Sequence, residues 1–162
     1  MNRRPCHSID FEDWPAQDRR LWEQARRPAE FLGRPGAAAH WRPATAKQTA
    51  KAYGLWLFHL GAIGRLDPDL RPDHRVTEAT LMSFVQSLRG LASVTVASRV
   101  TELCQAVRVM VPEADLDLLR RVRCQLERLQ TPSREKASRV IHSRTIWSGA
   151  LAYLDHLHPV PP

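Results

Sequence analysis

The chain carries seven histidines, three cysteines and seventeen acidic side chains, the groups from which acid–base, metal or nucleophilic chemistry would be built. Their spacing does not favour such chemistry. His156 and His158, beside Asp155, are two apart at a helix end and point in different directions, so they read as exposed terminal histidines rather than ligands. His59 lies beside an apolar stripe and reads as a boundary or core residue. Asp67 and Asp69 sit in a turn, where aspartate serves local hydrogen bonding. Cys6, Cys104 and Cys124 lack CxxC spacing and read as reduced thiols, with Cys104 and Cys124 packed within helices. There is no Gly-rich phosphate loop, HExxH or GxSxG. The expectation is no catalysis on this chain, no cofactor, no metal and no small-molecule substrate.

The residues that can grip rather than react are concentrated between Trp41 and Gly64. Pro43 suits a first helical turn, and Gly61 and Gly64 supply ends. At the helical period, Ala46, Ala50, Tyr53, Trp56, Leu57, Leu60 and Ile63 fall on one side, with Lys47, Gln48 and Lys51 on the other. Beyond Gly54 the run Leu55-Trp56-Leu57-Phe58 is apolar all round, as in a helix buried on every side. Before Gly54 the helix is small, basic and accessible, suited to an anionic surface.

Bulk charge agrees without deciding. The net charge is +7 and the pI about 10.1, with the cations nearly all arginine, which favours a nucleic-acid partner over a membrane surface. A solvated arginine-rich surface accounts for the charge equally well. No window is apolar enough for a transmembrane helix. MNRRPCHSIDFEDWP has no apolar run after its arginines, so it is not a secretory signal, and a cytoplasmic protein is expected.

The remaining elements all follow the helical period. Residues 1–13 read as irregular. Asp13-Trp14-Pro15 opens a charge-dense helix to about Arg27, expected to be peripheral, with Trp14, Leu21 and Trp22 as its large apolar groups. Pro28 to His40 is a loop, and Leu66 to Asp73 a turn-rich connection. Thr77 caps a helix to about Arg89 that buries Leu81, Phe84, Val85 and Leu88 and ends at Gly90. Ser93 caps the next, to about Met110, with Val96, Val100, Leu103, Cys104, Val107 and Met110 in one stripe. Thr95, Ser98, Arg99, Glu102 and Gln105 lie outside that stripe. Asp115 caps a helix to about Gln130, burying Leu118, Leu119, Val122, Leu126 and Leu129 behind Arg120, Arg121, Arg123 and Arg128. Ser133 to Arg139 is a polar, mostly basic linker. A last helix, from about Ser143 to Leu157, carries Ile146, Trp147, Ala150, Leu151 and Leu154 as its stripe. The fold class is all-α: a four-helix bundle with an N-terminal helical extension and a trailing helix.

In this order the pieces WRPATAKQTAKAYGLWLFHL, GRLDPD, RVTEATLMSFVQSL and SVTVASRVTELCQAVRVMVP, followed by Arg134 and Lys136, resemble the N-terminal core-binding domain of phage-integrase-type tyrosine recombinases. The resemblance spans roughly Trp41 to Arg139. It implies a SAM-like four-helix bundle forming half of a clamp around double-stranded DNA, in site-specific recombination and integration. The implied domains are an extension (1–40), the core-binding bundle (41–130), a basic linker (131–142) and the start of a catalytic domain (143–162). Family catalysis requires an arginine, a lysine, a His-x-x-Arg pair, a further His or Trp and a tyrosine. His142-Ser143-Arg144 departs from that pattern, and Tyr153 reads as packing beside Trp147 and Ala150. Without the rest of the catalytic domain, the stripe of helix 143–157 would be exposed.

By the same resemblance, two helices of the bundle bind phosphates. This carries over to Thr45, Lys47, Gln48 and Lys51 on the first, and to Thr95, Ser98 and Arg99 on the second, whose N-terminal N–H groups also suit a phosphate. Arg134, Lys136 and Arg139 would follow the DNA backbone along the linker. Other recombinase protomers on DNA are implied partners. The competing reading is a helical protein–protein interaction module using the stripe of 143–157, its basic surface incidental.

Overall fold

A computed structural model describes residues 7–29, 31, 33–130 and 143–157. The chain divides into two compact units, Met1–Thr131 and Pro132–Pro162. Among the described residues all regular structure is helical: a 3-10 turn at Phe11–Asp13, then α1 (Ala16–Arg26), α2 (Pro43–Ala62), α3 (Glu78–Ser87), α4 (Ser93–Met110), α5 (Asp117–Arg128) and α6 (Ser143–Leu157). Within the first unit α4 is central, packed against α1, α2 and α5, while α3 packs on α2.

The periodic stripes become the core. Tyr53, Trp56, Leu57 and Leu60 of α2, Leu81 and Phe84 of α3, and Val100, Leu103 and Val107 of α4 are at most 1% exposed. Pro43 is in the first turn of α2, as its missing N–H allows. Gly64 (φ 64°) closes α2 in the left-handed region, with Arg65 N–H donating to Leu60 O at 2.8 Å. Thr77 caps α3 as expected: its hydroxyl accepts from Thr80 N–H at 3.2 Å, and Thr80 Oγ1 accepts from Thr77 N–H at 3.0 Å. Asp67 serves its turn, accepting from Asp69 N–H at 2.9 Å.

Several expectations fail, mostly at ends and boundaries. Phe58 of α2 is exposed, as are Ile63 and Leu129, each one residue past the end of its helix. Cys124 is exposed, whereas Cys104 is buried, and burial raises its thiol pKa. Ser93 is the first residue of α4 rather than its cap, a position taken by Ala92. Leu116 stands at the cap of α5, though Asp115 accepts from Asp117 N–H at 2.9 Å one position earlier. Pro15, not Asp13, precedes α1. Trp147, Leu151 and Tyr153 of α6 are exposed, in line with the open stripe expected for this helix. The side chains of Ile146 and Leu154 lie outside the described residues.

The largest correction concerns α1, which is not peripheral. Trp14 and Trp22 are 3% exposed and pack edge-to-face, 5.7 Å between ring centroids. Trp14 meets Tyr53 at 4.8 Å and Trp22 meets Trp41 at 6.0 Å, the offset geometry aromatic quadrupoles favour. Asp18 is fully buried, with Oδ2 accepting from Arg75 Nη1 at 2.5 Å and from the Tyr53 hydroxyl at 2.7 Å. Burial, reinforced by the neighbouring carboxylate, raises the Tyr53 pKa well above its usual value, so the hydroxyl stays a donor. Arg75 also donates to the carbonyls of Asp67 (2.8 Å), Pro68 (3.4 Å) and Leu70, fastening the α2–α3 connection to α1 and α2. Compensation at Oδ2 is what lets a buried carboxylate of this kind persist, while Oδ1 has no hydrogen-bond partner among the described residues.

The chain before α1 is equally committed. Ile9 N–H donates to Gly54 O at 3.1 Å, Ser8 Oγ to Lys51 O at 2.9 Å, and Trp14 Nε1 to Ile9 O at 3.1 Å. A Cβ at position 54 would lie 2.3 Å from Ile9 O, so the crossing requires glycine there.

Candidate nucleic-acid interface

On α2, Thr45, Gln48 and Thr49 stand at i, i+3 and i+4. On α4, Ser98, Thr101, Glu102 and Gln105 stand at i, i+3, i+4 and i+7. Each set therefore forms one stripe along its helix. The packing of α2 on α4 brings the two stripes together as the walls of an open polar groove of about 440 Å³, completed by Glu127 of α5 and Gln130 just after it.

The expected DNA-binding residues divide about this groove. Thr45, Gln48 and Ser98 line it. Lys47 and Lys51 do not; they are exposed on the adjoining flank of α2, the flank that continues to Gly54 at i+3 from Lys51. Neither lysine has an ion-pair partner among the described residues. Thr95 and Arg99 are half-buried on α4 and also stand off the groove lining. Arg134, Lys136 and Arg139 lie outside the described residues.

Glu102 organises the seam, although its place outside the apolar stripe of α4 suggests an outward-facing residue. It is 8% exposed, with one oxygen accepting from Gln48 Nε2 at 2.5 Å and the other from Arg99 Nη1 at 3.0 Å. A single carboxylate thus joins α2 to α4 and engages two of the expected DNA-binding side chains. Ser98 and Thr101 donate their hydroxyls to the carbonyls of Val94 and Ala97, each at 2.9 Å, which leaves their oxygens as acceptors toward the groove. The lining contains two carboxylates and no lysine or arginine, so an approaching phosphate would meet cations only beside the groove.

The helix starts match the expectation in part. No side-chain hydrogen bond caps α2 or α4, where Arg42 and Ala92 occupy the cap positions. Ala92 O accepts from Thr95 N–H at 2.8 Å and from Val96 N–H at 3.1 Å. Sequence reasoning missed Glu102, Thr101, Gln105, Glu127 and Gln130 as groove residues. The polar stripe 98-101-102-105 was legible at the helical period, but its opposition to 45-48-49 required the packing.

No described residues assemble a catalytic constellation around the groove, and no helix among them is long and apolar enough to cross a membrane. Compared with known proteins, the chain matches no family model, no curated protein and no solved structure.

Proposed function

We propose that this chain is a non-catalytic module that binds double-stranded DNA, of the core-binding type found in tyrosine recombinases and working beside other recombinase protomers inside the cell. The observation that carries this reading is the packing of the N-terminal half of α2 on the middle of α4, with Lys47 and Lys51 exposed and without ion-pair partners among the described residues, beside a seam of hydroxyls, amides and two carboxylates. Unpaired cations next to a polar seam suit a duplex, whose phosphates position a protein and whose base edges carry the sequence. The net charge of +7 adds long-range attraction.

The test is a salt titration of binding to a random-sequence duplex. Affinity should fall steeply with salt, and Lys47→Ala with Lys51→Ala should reduce the log–log slope by about 0.9 for each phosphate no longer neutralised. Unchanged affinity and slope, with helicity intact by circular dichroism, would remove the assignment of these lysines.

A second reading rests on α6, where Trp147 is 70%, Tyr153 66% and Leu151 51% exposed. Such a face suits a protein-interaction module. Binding to the duplex that is absent at low salt would favour it.

A further inference from the structure

We infer that Glu102 is a specificity-determining residue: it fixes the Gln48 carboxamide for reading an adenine edge and withholds Arg99 from the phosphates. This rests on the proposed DNA-binding reading and extends it from gripping to sequence discrimination.

A carboxylate restricts which atoms can face it. Ionised, it only accepts hydrogen bonds, so the atom of Gln48 that faces Glu102 at 2.5 Å must be the amide nitrogen. That sets the amide orientation. One N–H goes to Glu102, and the carbonyl oxygen and the second N–H remain for a ligand. Gln48 is itself exposed, so this pair is accessible. One acceptor beside one donor is the pattern complementary to N6 and N7 of adenine in the major groove. Holding the side chain beforehand removes part of the rotamer entropy that ordering it on DNA would cost.

The charge pattern points the same way. Arg99 donates to the other oxygen of Glu102 at 3.0 Å, so its charge is met within its own helix turn. Glu127 adds a second carboxylate to the lining, with Gln105 and Gln130 as neutral neighbours. A phosphate would be repelled there. A base amino group, which donates, would not. The surface thus separates into a cationic flank at Lys47 and Lys51 that grips and a seam at Gln48 and Glu102 that discriminates.

The experiment binds the full chain to a library of duplexes with randomised positions, sequences the bound fraction, and measures affinity and salt slope on the selected and random duplexes. The wild-type chain should enrich adenine at one position roughly tenfold, the scale of one good side chain–base pair. Gln48→Ala, an exposed change, should abolish the enrichment and bring the ratio of selected- to random-duplex affinity to about one. Glu102→Ala should abolish it too, while random-duplex affinity rises and the salt slope steepens by about 0.9 as Arg99 becomes available to phosphate. A merely structural Glu102 would lower affinity and leave the slope unsteepened. Lys47→Ala should weaken binding and preserve the enrichment. Salt-dependent binding with no adenine enrichment, or enrichment that survives Gln48→Ala, would overturn the inference and leave the DNA-binding reading standing. No salt-dependent binding to any duplex would overturn both.

Discussion

Asp18 and Glu102 each use one carboxylate to join two elements of the bundle, and they differ in what surrounds them. Asp18 is sealed: its partners Arg75 and Tyr53 are themselves buried, and Trp14 closes over Tyr53. Glu102 stands at the edge of an open groove, with partners on the solvent side. In the sealed site, losing a partner leaves a charge that water cannot reach. In the open site, water replaces the partner at once. The same pair of functional groups is therefore a structural commitment in one place and an adjustable surface in the other.

The sharpest way to break this comparison is Arg75→Met, which strands Asp18 and releases the α2–α3 connection. It should cost about 3–5 kcal/mol in chemical denaturation. Asp18→Leu combined with Arg75→Met should cost less than Arg75→Met alone, since no buried charge is then left unpaired. Equal costs would mean that the loop carbonyls, rather than Asp18, are what Arg75 serves.

The core also holds a titrating group. His59 is 9% exposed, lies against Trp56 and Phe84, and has no hydrogen-bond partner for Nε2 among the described residues. Burial lowers its pKa from 6.5, so the unfolded chain takes up the proton first as pH falls. Stability should be level above that pH and decline on the acid side. His59→Leu should remove that part of the decline, which denaturation midpoints at a series of pH values would show.

The smallest effect is expected at the open site. Glu102→Ala should cost less in chemical denaturation than Arg75→Met, because Glu102, though largely buried itself, borders an open groove and its partners Gln48 and Arg99 are reached by water. A loss comparable to that of Arg75→Met would mean that the groove is as structural as the sealed knot.

These two carboxylates also mark how far the sequence was legible. The stripe of α2 through Tyr53, Trp56, Leu57 and Leu60 was readable because a buried helix face repeats locally. So were Pro43 at its start, the Thr77 cap and the extent of α6. Asp18 was not, because it stands among Arg19, Arg20 and Glu23 on a charge-dense helix, and the partner that buries it is 57 residues away. Gln48 and Glu102 are 54 apart. No local period reports a pairing at that separation. The same limit applies to the groove, whose halves are legible stripes and whose existence depends on their opposition. Misplaced caps such as Ser93 have a different cause: the helix starts one residue early, and the cap position falls to Ala92, whose side chain has no acceptor.

The guanidinium of Arg75 has one further consequence, for how this chain tolerates change in length. Surface connections between helices usually accept added or deleted residues with little penalty, since loop entropy grows slowly with length. The stretch from Asp67 to Leu70 is different, because three of its carbonyls converge on one buried side chain whose own position is set by Asp18. Adding a residue there would move at least one carbonyl out of reach and leave a guanidinium N–H without an acceptor inside the protein. Related chains that share Arg75 and Asp18 should therefore hold this connection to one length, and vary instead in the stretch between α1 and α2.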